Sequence, residues 1–148
     1  EKVGALETHG KFVLSVAYSP DGQQLACGAQ DGVVYVFDVA AGALLNKLEG
    51  HTMPVRSLTF SADGTTLLSA SDDGKVNLWD ASSGAAGGAS AKGVLAGHTN
   101  WVLAVAANPT DPTIVATGSS DKRVKIWDLR RRDCVQTFEA HTEPVWSV

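Results

Sequence analysis

Two sets of residues in this chain have the composition of an acyl-transfer triad. His51, Ser71 and Asp73 form one, and His98, Ser119 and Asp121 the other. A serine hydroxyl activated by an imidazole that an aspartate orients is the arrangement of a nucleophilic hydrolase. In both sets a tryptophan, Trp79 or Trp127, follows six residues after the aspartate. That constancy favours a different use of the same atoms. A buried indole N–H needs an acceptor. A serine hydroxyl can take that bond and donate onward to an imidazole, while an aspartate on the other ring nitrogen fixes the tautomer. The expected role of the two sets is therefore structural, with a hydrolase as the alternative.

Other chemistry finds little footing. His9, His51, His98 and His141 stand more than 40 residues apart, so they are not expected to converge on a metal. Cys27 and Cys134 are too few for a disulfide framework or a structural zinc site, and both fall in strand-like sequence where a reduced, buried thiol is expected. Between Gly84 and Gly93, Lys92 precedes a glycine, the reverse of the Gly-Lys order of a phosphate-cradling loop. Residues 82–93 read instead as a flexible Gly/Ala/Ser insertion. Arg130-Arg131-Arg132 is the only basic cluster and reads as a solvated turn rather than a nucleic-acid patch. No cofactor, metal or small-molecule substrate is expected.

The bulk composition agrees. Apolar residues make up 44% of the 148 and charged residues 19%, enough for a folded core. Twelve basic against sixteen acidic residues leave a charge of −4, without the basic excess that binding a phosphate backbone requires. No apolar run reaches the roughly 20 residues of a membrane-spanning helix. With no glycosylation acceptor and no signal-peptide pattern, a soluble, intracellular protein is expected.

The elements that must position these residues recur. The four histidines are spaced by 42, 47 and 43 residues, and each of the first three leads into a similar register. Short runs rich in β-branched and aromatic residues, such as Leu58-Thr59-Phe60 and Val33 to Phe37, alternate with turn dipeptides such as Asp21-Gly22, Asp63-Gly64 and Asp73-Gly74. Lys122 replaces the glycine after Asp121, which predicts a different turn there. Each repeat of 40–45 residues reads as a small four-stranded antiparallel sheet, and helix is expected to be minor. The repeats run at about 9–50, 51–97 and 98–140, with partial repeats at 1–8 and 141–148.

Gly50-His51 with Trp79-Asp80, and Gly97-His98 with Trp127-Asp128, resemble the signature of WD-repeat β-propellers. The resemblance implies an all-β fold of four-stranded antiparallel blades, here about three and a half of a seven-bladed ring. It also implies that the strand before each Gly-His closes one blade, and that His51, Ser71, Asp73 and Trp79, like His98, Ser119, Asp121 and Trp127, form hydrogen-bonded tetrads. The first repeat departs from the pattern: Ala29 stands for the serine, Phe37 for the tryptophan, and Thr8 precedes His9. A ring with half its blades has open edges, so a fragment, a truncated product or a two-copy ring is expected.

If the tetrads are scaffold, function falls to the loops that lead into each inner strand. Phe12, Leu14, Met53, Arg56, Trp101, Leu103 and Trp146 are the expected partner-binding face, because exposed aromatic, Met and Arg side chains are the composition of an interaction hot spot. Within WD proteins, Gly10 to Gly22, Leu48 to Phe60 and Gly97 to Leu103 are similar to the small scaffold subunit shared by the Ski (superkiller) RNA-decay and Paf1 transcription-elongation complexes. That likeness implies protein partners in a larger complex, in nucleus and cytoplasm, with no direct nucleic acid and no membrane. A WD-type substrate receptor or histone-peptide reader is the alternative, with Asp72 and Glu143 as the acidic rim.

Overall fold

The computed structural model describes residues 4–8, 10–82 and 91–148. His9 and most of the expected 82–93 insertion lie outside the described residues. Among the described residues, twelve strands form three antiparallel sheets of four, each built in chain order. The first holds β1 (Val13–Tyr18), β2 (Gln24–Ala29), β3 (Val34–Asp38) and β4 (Ala43–Leu48). The second holds β5 (Val55–Phe60), β6 (Thr66–Ser71), β7 (Lys75–Asp80) and β8 (Gly93–Ala96). The third holds β9 (Val102–Ala107), β10 (Ile114–Ser119), β11 (Val124–Asp128) and β12 (Asp133–Phe138). The architecture is all-β, and the sheets are blades of a propeller.

Turn chemistry sets where each strand ends. Asp21 accepts hydrogen bonds from the Ser19 hydroxyl and the Gln23 amide, and Asp63 does the same for Ser61 and Thr65. Gly22 and Gly64, both at φ 72°, complete those turns. The turn at Lys122 corrects the sequence expectation. Its φ of 70° matches Gly32 at 83° and Gly74 at 81°, so the turn is of the same kind with a lysine in the left-handed position. At Gly32 a Cβ would come within 2.8 Å of the His51 carbonyl, which demands glycine there, whereas the Lys122 side chain is exposed. The lysine costs roughly 1 kcal/mol of backbone strain.

Apolar side chains of neighbouring sheets mesh in two layers. Trp79, Val36, Leu48, Val55, Phe60 and Leu67 fill the first junction. Trp127, Leu68, Leu78, Leu95, Val102 and Val115 fill the second. Gly28 lets the first junction close, since a Cβ there would meet Val55 Cγ1 at 2.6 Å. The inner strands also bond across blades: the Val105 amide donates to Ser57 Oγ at 3.2 Å.

A bulge recurs at the start of each inner strand. Val13 and Ser15 face Ala29 and Gly28, Val55 and Ser57 face Ser71 and Ala70, and Val102 and Ala104 face Ser119 and Gly118. The extra residue is Leu14, Arg56 or Leu103 in turn, and such a residue is re-aimed out of the ladder. At the far end, β12 is exposed along its whole length, so Cys134 is exposed rather than buried as its sequence suggested. Cys27 is buried in β2, and burial raises its thiol pKa.

Candidate functional site

Each of the second and third blades carries a four-membered hydrogen-bond chain. In the second, the Trp79 indole N–H donates to Ser69 Oγ at 2.8 Å, Ser69 Oγ lies 2.7 Å from His51 Nε2, and His51 Nδ1 lies 2.7 Å from Asp73 Oδ2. In the third, Trp127 donates to Thr117 Oγ1 at 2.8 Å, Thr117 Oγ1 lies 2.7 Å from His98 Nε2, and His98 Nδ1 lies 2.7 Å from Asp121 Oδ2. With the hydroxyl donating to Nε2, Nδ1 carries the proton and donates to the carboxylate. Every polar atom of the chain is then used.

The hydroxyl members correct the sequence reading, which placed Ser71 and Ser119 there. Trp79 faces Leu67 across the ladder and Trp127 faces Val115. Ser69 and Thr117 sit two residues further along, the diagonal position that a long side chain reaches. Ser71 and Ser119 sit four residues along, about 13 Å away at the rise of a strand. They serve the turns instead. Ser71 Oγ donates to the Met53 carbonyl at 3.0 Å and accepts from the Asp73 amide, and Ser119 does the same for Asn100 and Asp121.

The same correction changes the account of the first blade. Cys27, not Ala29, stands at the hydroxyl position, and Phe37 at the tryptophan position, where there is no N–H to satisfy. Asp31 is occupied otherwise: it accepts from Tyr35 Oη at 3.1 Å and pairs with Lys11 at 3.6 Å. No signal in one repeat alone gives the hydroxyl position; the tryptophan's ladder partner does.

In the third blade electrostatics disfavour the charged imidazole. Burial pushes the His98 pKa down, outweighing the hydrogen bond and charge of Asp121. Burial works to raise Asp121 and Asp73, but bonds from their histidines and from the Thr99, Arg123, Thr52 and Lys75 amides outweigh it, so both carboxyls titrate below the ordinary value.

The loop face lies at the ends of the inner strands. The carbonyls of Phe12, Pro54 and Trp101 accept from the amides of Gln30, Asp72 and Ser120, which ties each loop to the turn of its own blade. The Phe12, Met53, Trp101 and Trp146 side chains remain 75%, 43%, 44% and 71% exposed. Arg56 reaches Asp72 as a fork, with Nε 2.9 Å from Oδ1 and Nη2 2.7 Å from Oδ2. Leu103 is a correction: only 6% exposed, it cannot belong to a binding face. Its blade is flanked by the second blade on one side, and on the other by the C-terminal stretch, whose Val145 amide bonds the Ser119 carbonyl. Leu14, at the same bulge in the first blade, is exposed.

Comparison with known proteins places this arrangement. The family model described as WD domain, G-beta repeat matches residues 1–38, 42–80 and 90–128. The chain belongs to the WD40 family. WD repeat-containing protein VIP3 of Arabidopsis thaliana is 62% identical over 39 residues, which are 26% of this chain and 12% of that protein. The probable E3 ubiquitin ligase complex SCF subunit sconB of Aspergillus terreus is 40% identical over 55 residues, 37% of this chain and 8% of that one. The matches thus span a small part of these relatives. Among solved structures, the RRP9 WD40 repeats superpose with a TM-score of 0.88 at 22% identity, over 96% of this chain and 43% of theirs. A chain of the mitotic checkpoint complex gives 0.82 at 28%, over 95% and 41%.

Two outcomes follow for the WD40 tetrads. Ser69→Ala strands both the Trp79 indole and His51 Nε2, at about 1–3 kcal/mol for each buried group. Ser71→Ala loses two turn bonds, to the Met53 carbonyl and from the Asp73 amide, whose partners lie nearer solvent, at about 0.5–1 kcal/mol each. Chemical unfolding of the two variants should rank them in that order, and the reverse order would restore Ser71 to the chain. The depressed His98 pKa means that the unfolded chain binds more protons below its ordinary value of 6.5. Stability therefore falls as pH drops through that value, and Asp73 and Asp121 add a second loss below 3.8. Thermal midpoints across this range should decline on acidification, with a shallower decline near neutrality in His98→Gln.

Proposed function

We propose that this WD40 chain is a non-catalytic scaffold that holds protein subunits or peptides through the loop face of Phe12, Leu14, Met53, Arg56, Trp101 and Trp146. The observation that carries the reading is the contrast at Trp101. Its backbone carbonyl is pinned by the following turn while its ring is open to solvent, with the second blade on one side and the C-terminal stretch on the other. Anchored backbone with exposed aromatic surface lowers the ordering cost of binding and is the make-up of an interface anchor. The Arg56–Asp72 fork holds the guanidinium of this face in one plane.

The hydrolase alternative loses its nucleophile. The hydroxyls on the histidines belong to Ser69 and Thr117, both fully buried and already accepting from an indole. A lysine-reading rim is also weakened, because Asp72 is buried and taken up by Arg56. At the finer level, the sequence likeness of the stretches around Phe12, Met53 and Trp101 supports a subunit of Ski-type RNA-decay or Paf1-type elongation complexes, working in nucleus and cytoplasm. Relatives named as a pre-mRNA-splicing factor and a ribosome biogenesis protein support a nuclear site of action. A substrate-receptor role draws on the relative named as an SCF subunit and uses the same face.

Affinity capture with the immobilised chain, read by mass spectrometry, tests this. Ski- or Paf1-type subunits should be retained, and Trp101→Ala should cut their yield about tenfold with unchanged thermal unfolding. Ubiquitin-ligase subunits in their place would favour the substrate receptor. Retention unaffected by Trp101→Ala would remove this face from the account.

A further inference from the structure

The opposite face carries an arginine in a place that the fold does not require. The β11–β12 turn lies at the strand ends away from the loop face, and Arg132 occupies its left-handed position at φ 57°. The equivalent position of the first blade is Gly42 at φ 63°, in a turn capped the same way: the Ala41 amide bonds Asp38 there, and the Arg131 amide bonds Asp128 here. An L side chain adopts this conformation at a cost, and such costs concentrate at sites of function. Across the junction the chain makes room for the side chain. A Cβ on Gly93 would lie 2.7 Å from Arg132 Nε and 2.9 Å from its Cζ, so the guanidinium rests against the bare backbone of β8. Among the described residues, neither Arg130 nor Arg132 has a carboxylate within ion-pair distance, whereas Arg131 pairs with Asp133. Both arginines, Arg130 beside Asp111, rim a groove between the second and third blades together with Lys92, whose ammonium donates to the Thr65 carbonyl at 3.4 Å. Leu78, Pro112 and Leu129 are its apolar lining, the floor of the groove.

We infer that this groove binds an acidic peptide segment of a partner protein in extended conformation. Carboxylates would be met by the guanidinium forks, and an aliphatic side chain between them by the floor. Discrete carboxylates suit the site better than a nucleic-acid backbone. Among the described residues, no aromatic ring lines the groove to stack a base. Asp63 lies on the facing wall and Asp111 stands beside Arg130, and both repel any anion. A ligand must therefore set its charges at the guanidinium forks and away from these two carboxylates, which spaced carboxylates allow and an unbroken run of phosphates does not. Their carboxylates are tied to their own turns, Asp63 by Ser61 and Thr65 and Asp111 by Thr113. The inference is independent of the loop-face proposal, since it uses other residues on the other side of the blades.

Fluorescence anisotropy with a labelled synthetic peptide of alternating glutamate and leucine tests it. The intact chain should bind this peptide in a salt-sensitive manner and ignore its glutamine counterpart. Arg132→Gly should weaken binding about tenfold, as loss of a charge-assisted pair does, while the melting temperature holds or rises because the strained residue is gone. Arg130→Ala should weaken it similarly. The inference is overturned by no binding, by equal binding of the glutamine peptide, or by variants that bind like the parent. It is equally overturned if labelled oligouridylate binds more tightly than the peptide. A lower melting temperature in Arg132→Gly would mean that the arginine is kept for the fold, and would also overturn it.

Discussion

The indole N–H of a tryptophan packed between two sheets is the constraint around which the structure is organised. Trp79 and Trp127 are among the largest fully buried side chains, and each brings one donor into an otherwise apolar layer. Burying that donor unpaired would cost about 1–3 kcal/mol. The hydroxyl, the imidazole and the carboxylate are the shortest route by which the bond demand is handed to the blade surface. The carboxylate is in turn met by backbone amides of the loop and the turn. One requirement in the core thus fixes the loop that begins each blade and the turn between its second and third strands. Where Phe37 removes the demand, Cys27 and the Asp31–Tyr35 bond take over the vacated positions.

Most of the fold was legible because the repeat is a matter of spacing. Turn residues with a clear physical role, Asp and Gly above all, bracket runs whose composition suits strands, and the histidine interval sets the blade length. Besides the exposure of Cys134, three things were not legible, each for a reason of geometry. The hydroxyl partner was misplaced because period-two alternation puts Ser69 and Ser71 on one face, and only the register with β7 separates them. The turn at Lys122 was misjudged because glycine is favoured, not obligatory, in a left-handed position when the Cβ has space. Leu103 shares its register with Leu14 and Arg56, but the bulge that re-aims all three side chains leaves Leu14 and Arg56 open and Leu103 covered.

The candidate site is the less legible part because loops owe their sequence to partners as well as to the fold. The sequence marks Trp101 as a tryptophan beyond those the core needs, and the structure supplies what spacing could not, a pinned carbonyl beneath an open ring. The two faces of the blades differ in character. The loop face gathers aromatic side chains with a neutralised cation, whereas the turn face gathers aspartates at the first junction and arginines at the second. A scaffold with two chemically distinct faces can hold two kinds of partner at once.

The organising role of the buried indoles sorts the four tryptophans into two pairs, and indole hydrogen exchange followed by nitrogen-15 NMR reads that sorting directly. Two indole N–H signals, from Trp79 and Trp127, should resist exchange nearly as long as the core strand amides, while those of Trp101 and Trp146 exchange at once. Rapid exchange of all four would contradict the account, because it would leave the blades without the internal bond on which their loops and turns depend.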